Sequence, residues 1–247
     1  MEDDNFIKML RTKTPLYKAK SKEDIRAIYE GGLKVVGTRF PLRFIDVSGI
    51  TDMSEAFRYL EDAEFCGIEN WDVSNVIDMS KMFANCTNFS GDVRNWDVSN
   101  VENMSGMFNA CKMFDGQGLE NWDVSNVKNM SGMFNGCTWL NIDFSKWDVS
   151  NVTDMHTMFR LCSHFTGFGL NTWDISNVDN MREMFYGDIA IKKQYIENWD
   201  PIAIAKKPIY DRLTATSNMF SKSSIQKSTP KWYKNYVKIK YEKYKKP

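Results

Sequence analysis

Tryptophan recurs at Trp71, Trp96, Trp122, Trp147, Trp173 and Trp199, at intervals of 25, 26, 25, 26 and 26 residues. The first four head the phrase WDVSNV and Trp173 heads WDISNV; a weaker copy, IDVSGI, starts at Ile45, and a decayed one, WDP, at Trp199. Self-similarity at a period of roughly 20–50 residues predicts a stack of equivalent units, because one unit alone cannot bury its apolar face. Such an architecture favours a long binding face over a concave catalytic cleft.

One copy shows how the units are built. In Val76–Cys86 the apolar residues Met79, Met82, Phe83 and Cys86 fall at i, i+3, i+4 and i+7. That spacing predicts one face of a short helix, with Asp78 placed to cap its first amides. The same set recurs as Met104/Met107/Phe108/Cys111, Met130/Met133/Phe134/Cys137 and Met155/Met158/Phe159/Cys162. The other half changes period. Trp and Val alternate, as in Trp71 and Val73, and an apolar residue stands three positions ahead of each tryptophan (Ile68, Val93, Leu119, Phe144, Leu170, Ile196). Alternation predicts a short strand with its apolar side inward. The residue that turns 25 into 26 lies in a glycine-bearing loop, FDGQGL or FTGFGL against FSGDV or LNIDF.

The expected fold class is therefore an α/β repeat solenoid, a leucine-rich-repeat-like right-handed coil with one short strand and one short helix per 25–26-residue repeat. Residues 1–41 are expected to form an N-terminal cap. There Ser21-Lys-Glu-Asp24 opens a helix that runs through Tyr29 and ends at Gly31-Gly32, and Leu33–Val36 and Arg39-Phe40 are extended. Residues 42–198 hold about six repeats. Residues 199–247 form a degenerate last repeat and a basic, aromatic C-terminal cap or tail.

These residues carry a resemblance. The phrase W-D-[VI]-S-N-V-x-[DN]-M-x-x-M-F, present five times between Trp71 and Phe185, is similar to the repeat of BspA-like leucine-rich-repeat surface proteins, in the mollicute lipoprotein form. The resemblance spans about Leu42 to Phe220. It implies a non-enzymatic solenoid used in adhesion and protein contact, of a kind found on bacterial surfaces, in some protists and in large DNA viruses. It brings no catalytic residues and no cofactor. The chain departs from the usual surface member at its start: MEDDNFIKML is acidic, with neither a basic n-region nor a lipobox cysteine. A cytoplasmic or virion-associated location is therefore expected ahead of a secreted one. No run of apolar residues is long enough to predict a membrane span.

Net charge is zero, yet it is divided. Between Ile45 and Asn198 there are 23 acidic and 10 basic residues, and from Ser221 to Pro247 nine lysines stand against one glutamate. The acidic body should attract a basic protein surface and repel nucleic acid. In a repeat array the constant positions build the scaffold, so partner choice is expected at positions that vary: Arg94-Asn95, Glu120-Asn121, Ser145-Lys146 and Asn171-Thr172 beside the strands. On the helical flank the equivalents are Ala84-Asn85, Asn109-Ala110, Asn135-Gly136 and Arg160-Leu161. The tail mixes aromatics with lysines, and Lys231, Trp232, Lys234, Lys238 and Lys240 are its candidate polyanion-binding residues. The alternative is that the tail caps the last repeat.

Other motifs read as structure. Cys86, Cys111, Cys137 and Cys162 lack the close spacing of metal ligands and are expected to be buried, reduced thiols, while Cys66 is off register. The series Asp72, Asp97, Asp123, Asp148 and Asp174, with its Ser-Asn pairs, has turn chemistry rather than the glycine-rich pattern of calcium-binding repeats. His156 and His164 accompany no nucleophile motif, and no phosphate-binding glycine loop is present. The expected function is non-catalytic: protein–protein interaction or adhesion. The alternatives are a self-associating surface or virion component, or a nucleic-acid-associated protein working through its tail.

Overall fold

The computed structural model describes residues 17–36, 40–61 and 65–235. Its regular elements are few: β1 (Tyr17–Lys18), α1 (Lys22–Val36), β2 (Ile45–Asp46), α2 (Ile202–Lys206) and α3 (Ile209–Ala215), with five short 3-10 turns. β1 pairs in parallel with β2. The described residues between β2 and α2 are turns, short 3-10 turns and extended segments, and their order comes from contact between copies.

The copies lie side by side in chain order. Phe57, Phe83, Phe108, Phe134, Phe159, Phe185 and Phe220 form one continuous ring stack with centroid spacings of 5.7–6.0 Å. A second stack joins Trp71 to Trp96 and Trp122, and Trp147 to Trp173 and Trp199, at 6.3–6.4 Å with rings within 9° of parallel. Offset parallel rings at this separation are favourable beyond their buried area, by about 0.5–1.5 kcal/mol a pair. The methionines, valines and cysteines of the repeat phrase join the rings in a single buried cluster.

The predicted short helix is absent. Met79–Cys86 is a series of tight turns in which alternate amides serve different partners. Met82, Ala84 and Cys86 donate to carbonyls three residues back, while Met79, Lys81, Phe83 and Asn85 donate to Asn103, Ser105, Met107 and Asn109 of the next copy at 2.7–2.9 Å. This alternation needs left-handed backbone twice per copy, and Lys81 and Asn85 have φ of 54° and 64°. The pair recurs as Glu55/Tyr59, Gly106/Ala110, Gly132/Gly136, Thr157/Leu161, Glu183/Gly187 and Asn218/Lys222. A right-handed helix cannot contain such residues. Nor could helices stack this closely, since they pack about 8–10 Å apart. The apolar spacing identified the buried face correctly while its backbone took a flatter form.

The strand expected at Trp-Asp-Val is also missing. Parallel pairing occurs further along, as a ladder of single bridges through Asp52, Asp78, Asn103, Asn129, Asp154 and Asn180. The 25/26 alternation has a simple structural cause. The long loops ahead of Trp71, Trp122 and Trp173 each contain a left-handed glycine followed by a 3-10 turn (Gly67 before Ile68–Asn70, Gly118 before Leu119–Asn121, Gly169 before Leu170–Thr172), whereas the long loop ahead of Trp199 reaches its 3-10 turn, Lys193–Tyr195, from the extended Lys192. A Cβ on Gly169 would stand 2.3 Å from the Ser145 amide nitrogen, so both its φ of 88° and its close approach to the preceding copy exclude a side chain.

At the N-terminal end α1 covers the first copy through Ile25 and Tyr29, the latter edge-on to Phe57 at 5.9 Å. The Ser21 hydroxyl accepts the Asp24 amide as expected. Gly31-Gly32 does not end the helix, which continues to Val36, so the extended conformation read for Leu33–Val36 is corrected. Gly32 is small because the Phe40 ring occupies the place of its Cβ. Arg39, read with that segment, lies outside the described residues. At the other end the chain lengthens between Trp199 and Met219 to admit α2 and α3, then resumes the pattern. Met181, Glu183, Phe185 and Gly187 donate to Ala215, Ser217, Met219 and Ser221.

Candidate interaction surface

Most repeated polar residues are consumed by the scaffold. Asp72 Oδ1 accepts the amide and hydroxyl of Ser74, closing a local turn, and the same amide bond recurs at Asp97, Asp123, Asp148 and Asp174. The bond from the serine hydroxyl holds the Asp97 and Asp148 carboxyls below the ordinary carboxylate range. Asn75 Nδ2 donates to the Ser48 carbonyl one copy back, and Asn100, Asn126, Asn151 and Asn177 repeat this stitch. In the bridge ladder Asn103 donates to Asp78 Oδ2, and Lys22 meets Asp52, which relieves repulsion along the column. His156 binds Asp154 through Nδ1 and through its own amide.

The eight residues read as partner-binding form one column beside the tryptophans. Arg94, Asn95, Asn121, Ser145, Lys146, Asn171 and Thr172 are exposed, and Glu120 is half-buried. Several have local duties. Glu120 Oε2 accepts the Gly118 amide, Thr172 Oγ1 donates to Gly169 and Ser145 carbonyls, and Lys146 Nζ donates to Asn121 Oδ1. Glu120 and Thr172 therefore help to shape the glycine turns, which spacing alone does not reveal. The second variable set sits on the turn series, and Asn85, Ala110, Gly136 and Leu161 occupy its left-handed position. Ala84, from the same set, is buried.

A surface the repeat phrase does not announce lies on the loops that lead from the cysteine position, held by Asp188 in the copy after Cys162, to the next tryptophan. Met113, Trp139, Phe168 and Ile189 are exposed by 59, 50, 47 and 65%. Met113, Trp139 and His164 take the same position in three successive copies, each one residue before a buried Phe114, Leu140 or Phe165. Trp139 and His164 stack at 4.2 Å, and His164 Nδ1 is 2.9 Å from the Thr138 carbonyl oxygen. The signal available in the sequence was Trp139 itself, which stands off the 25/26 ladder. Beside Met113 a groove of about 590 Å³ is lined by Asn88, Asp92, Arg94, Asp115 and Gln117 among others. It joins the ridge to the column at Arg94. The Arg94 amide, with its guanidinium assisting, holds the Asp92 carboxyl below the usual range.

In the tail, Lys231 and Lys234 are exposed, but Trp232 is buried and its Nε1 donates to the Ile196 carbonyl at 2.7 Å. The expectation that Trp232 offers a face for base stacking is corrected, because its ring completes the hydrophobic core. Lys238 and Lys240 lie outside the described residues. The cysteines Cys86, Cys111, Cys137 and Cys162 are buried and unbridged, and Cys66 is free and exposed. Burial pushes the Cys86 thiol up to about 12. Among the described residues no cluster of His, Cys, Asp or Glu gathers as a metal site, and no helix is long and apolar enough to cross a membrane.

By sequence and geometry this is a repeat protein whose copies pair in chain order. It belongs to the family described as Mycoplasma protein of unknown function, DUF285, whose family model matches it twice, over residues 37–119 and 110–232. No curated protein and no solved structure matches the chain.

Proposed function

We propose that this chain is a non-catalytic repeat solenoid that binds a protein partner through its loop edge. The observation that carries this reading is the exposed ridge of Met113, Trp139 and His164, bordered by the groove with Asp92 and Asp115. Exposed aromatic and methionine side chains grouped on one edge are typical of protein contacts. The acidic body, with 23 acidic against 10 basic residues over Ile45–Asn198, suits a partner with a basic surface. The likeness of the repeat phrase to BspA-like surface proteins supports a role in adhesion or protein contact. The test is a pull-down from the native host at low and moderate salt, followed by affinity measurement with the captured protein. Changing Met113 and Trp139 to alanine should weaken binding at least tenfold, and charge reversal at Arg94 and Lys146 should alter its salt dependence. Unchanged binding in both sets would reject the surface.

Self-association is the second reading, favoured by the opposite charges of body and tail. Light scattering on the full chain and on a chain ending at Asn235 separates the two. A monomer at both lengths leaves only the foreign partner.

A further inference from the structure

The position three residues after the stacked phenylalanine is a thiol in four successive copies. Cys86, Cys111, Cys137 and Cys162 each donate from Sγ to the carbonyl of a phenylalanine one copy back, at 3.0–3.1 Å. In the next copy that position is Asp188, which has no exposed surface. Asp188 Oδ1 accepts the amides of Ala190 and Ile191, both at 3.0 Å. Its Oδ2 is buried with no hydrogen-bond partner.

The neighbouring charges are engaged elsewhere. Arg160 and Arg182 pair with Glu183, and Arg160 and Lys222 lie over the Tyr186 ring. The titratable group behind Asp188 is the buried Cys162, and the following copy places Ser224 against it. A buried carboxylate without a cation is costly, whereas a protonated carboxyl is neutral, as the thiols are in the other copies, and escapes that charge-burial cost. Asp188 also sits on a seam. Its carbonyl accepts the Ser224 amide at 3.0 Å, Gly187 donates to Ser221, and the Ser224 hydroxyl donates to Ile191 at 2.6 Å.

We propose that Asp188 is a protonation-controlled latch: with its proton it holds the C-terminal segment from Trp199 to Trp232 against the preceding copy, and without it that seam opens. Burial raises this carboxyl to about 8, from an ordinary value of 3.8. A group whose folded-state value is raised stabilises fully below its unfolded value, and that stabilisation is lost as pH rises toward and through the folded one. Opening of the seam should therefore increase by up to about tenfold per pH unit between about pH 4 and 8, then level off.

Hydrogen exchange on the full chain between pH 5 and 9, corrected for intrinsic rates, tests this. The amides of Phe185, Gly187 and Ser224 should show that slope, while those of Phe83 and Phe108 should not. Asp188→Cys restores the thiol of the other copies and should flatten the slope, as should Asp188→Asn. If the asparagine chain fails to fold, the cysteine chain decides. A wild-type seam with no slope, or a slope retained in Asp188→Cys, would overturn the proposal.

Discussion

The indole Nε1 of Trp232 donates to the carbonyl oxygen of Ile196 at 2.7 Å, across 36 residues of chain. Trp199 makes the same bond to Leu170, Trp173 to Phe144, Trp147 to Leu119, Trp122 to Val93, Trp96 to Ile68 and Trp71 to Leu42. From Trp96 to Trp232 the acceptor is the apolar residue that precedes the previous tryptophan by three, and for Trp71 it is Leu42, three ahead of Ile45, which holds the tryptophan's place in the first copy. Trp232 therefore extends the ladder by one place beyond the last visible repeat phrase, and the C-terminal segment is part of the core up to that residue.

Replacing Trp122 with phenylalanine removes its bond to Val93 and trims its stack on Trp96. The Val93 carbonyl keeps the Trp96 amide, so the lost indole bond costs about 0.5–1.5 kcal/mol, with a packing loss of similar size added. Urea unfolding should show a destabilisation of about 1–3 kcal/mol. Trp139→Phe, at an exposed ring, should change stability by less than about 0.5 kcal/mol.

Two adjacent glycines in α1 should respond in opposite directions. Gly31 has open space around its missing Cβ, so Gly31→Ala should stabilise by about 0.5–1 kcal/mol through helix propensity. At Gly32 a Cβ would fall on the Phe40 ring, and alanine should destabilise by about 1–3 kcal/mol. Thermal melts of the two variants measure both signs.

Thiol labelling should count one cysteine in the folded chain. Cys66 is exposed, while the other four are buried with their proton affinity raised by desolvation. Mass spectrometry after brief maleimide treatment at pH 7 should show one adduct, and five after denaturation. More than one adduct at early times would place the cysteine column nearer solvent.

His156 should titrate above 6.5, because its hydrogen bond to Asp154 favours the charged ring. Its raised value makes the stabilising contact complete at pH below 6.5 and lost as pH rises through the titration. NMR of the imidazole should show the elevated midpoint, and Asp154→Asn should return it toward 6.5. A midpoint unmoved by that change would mean the pair does not interact in solution.

The array of core side chains, glycine-bearing loops and polar turns was partly readable in the residues. Trp71 and its copies, the Met-Met-Phe-Cys face and the glycine-bearing loops were legible because side-chain spacing reports which atoms leave water. The helix expected over Met79–Cys86 was not, since i, i+3, i+4, i+7 is equally satisfied by two turns hinged on left-handed Lys81 and Asn85. Those conformations cost about 1–2 kcal/mol each in isolation and exist because amides such as those of Lys81 and Asn85 find carbonyls on the next copy. The local residues therefore determined the period, the core and the array's order. Only contact between copies decided the backbone within each one, the burial of Trp232 and the meeting of Trp139 with His164, because hydrogen bonds and ring stacks between residues about 25 positions apart have no local imprint.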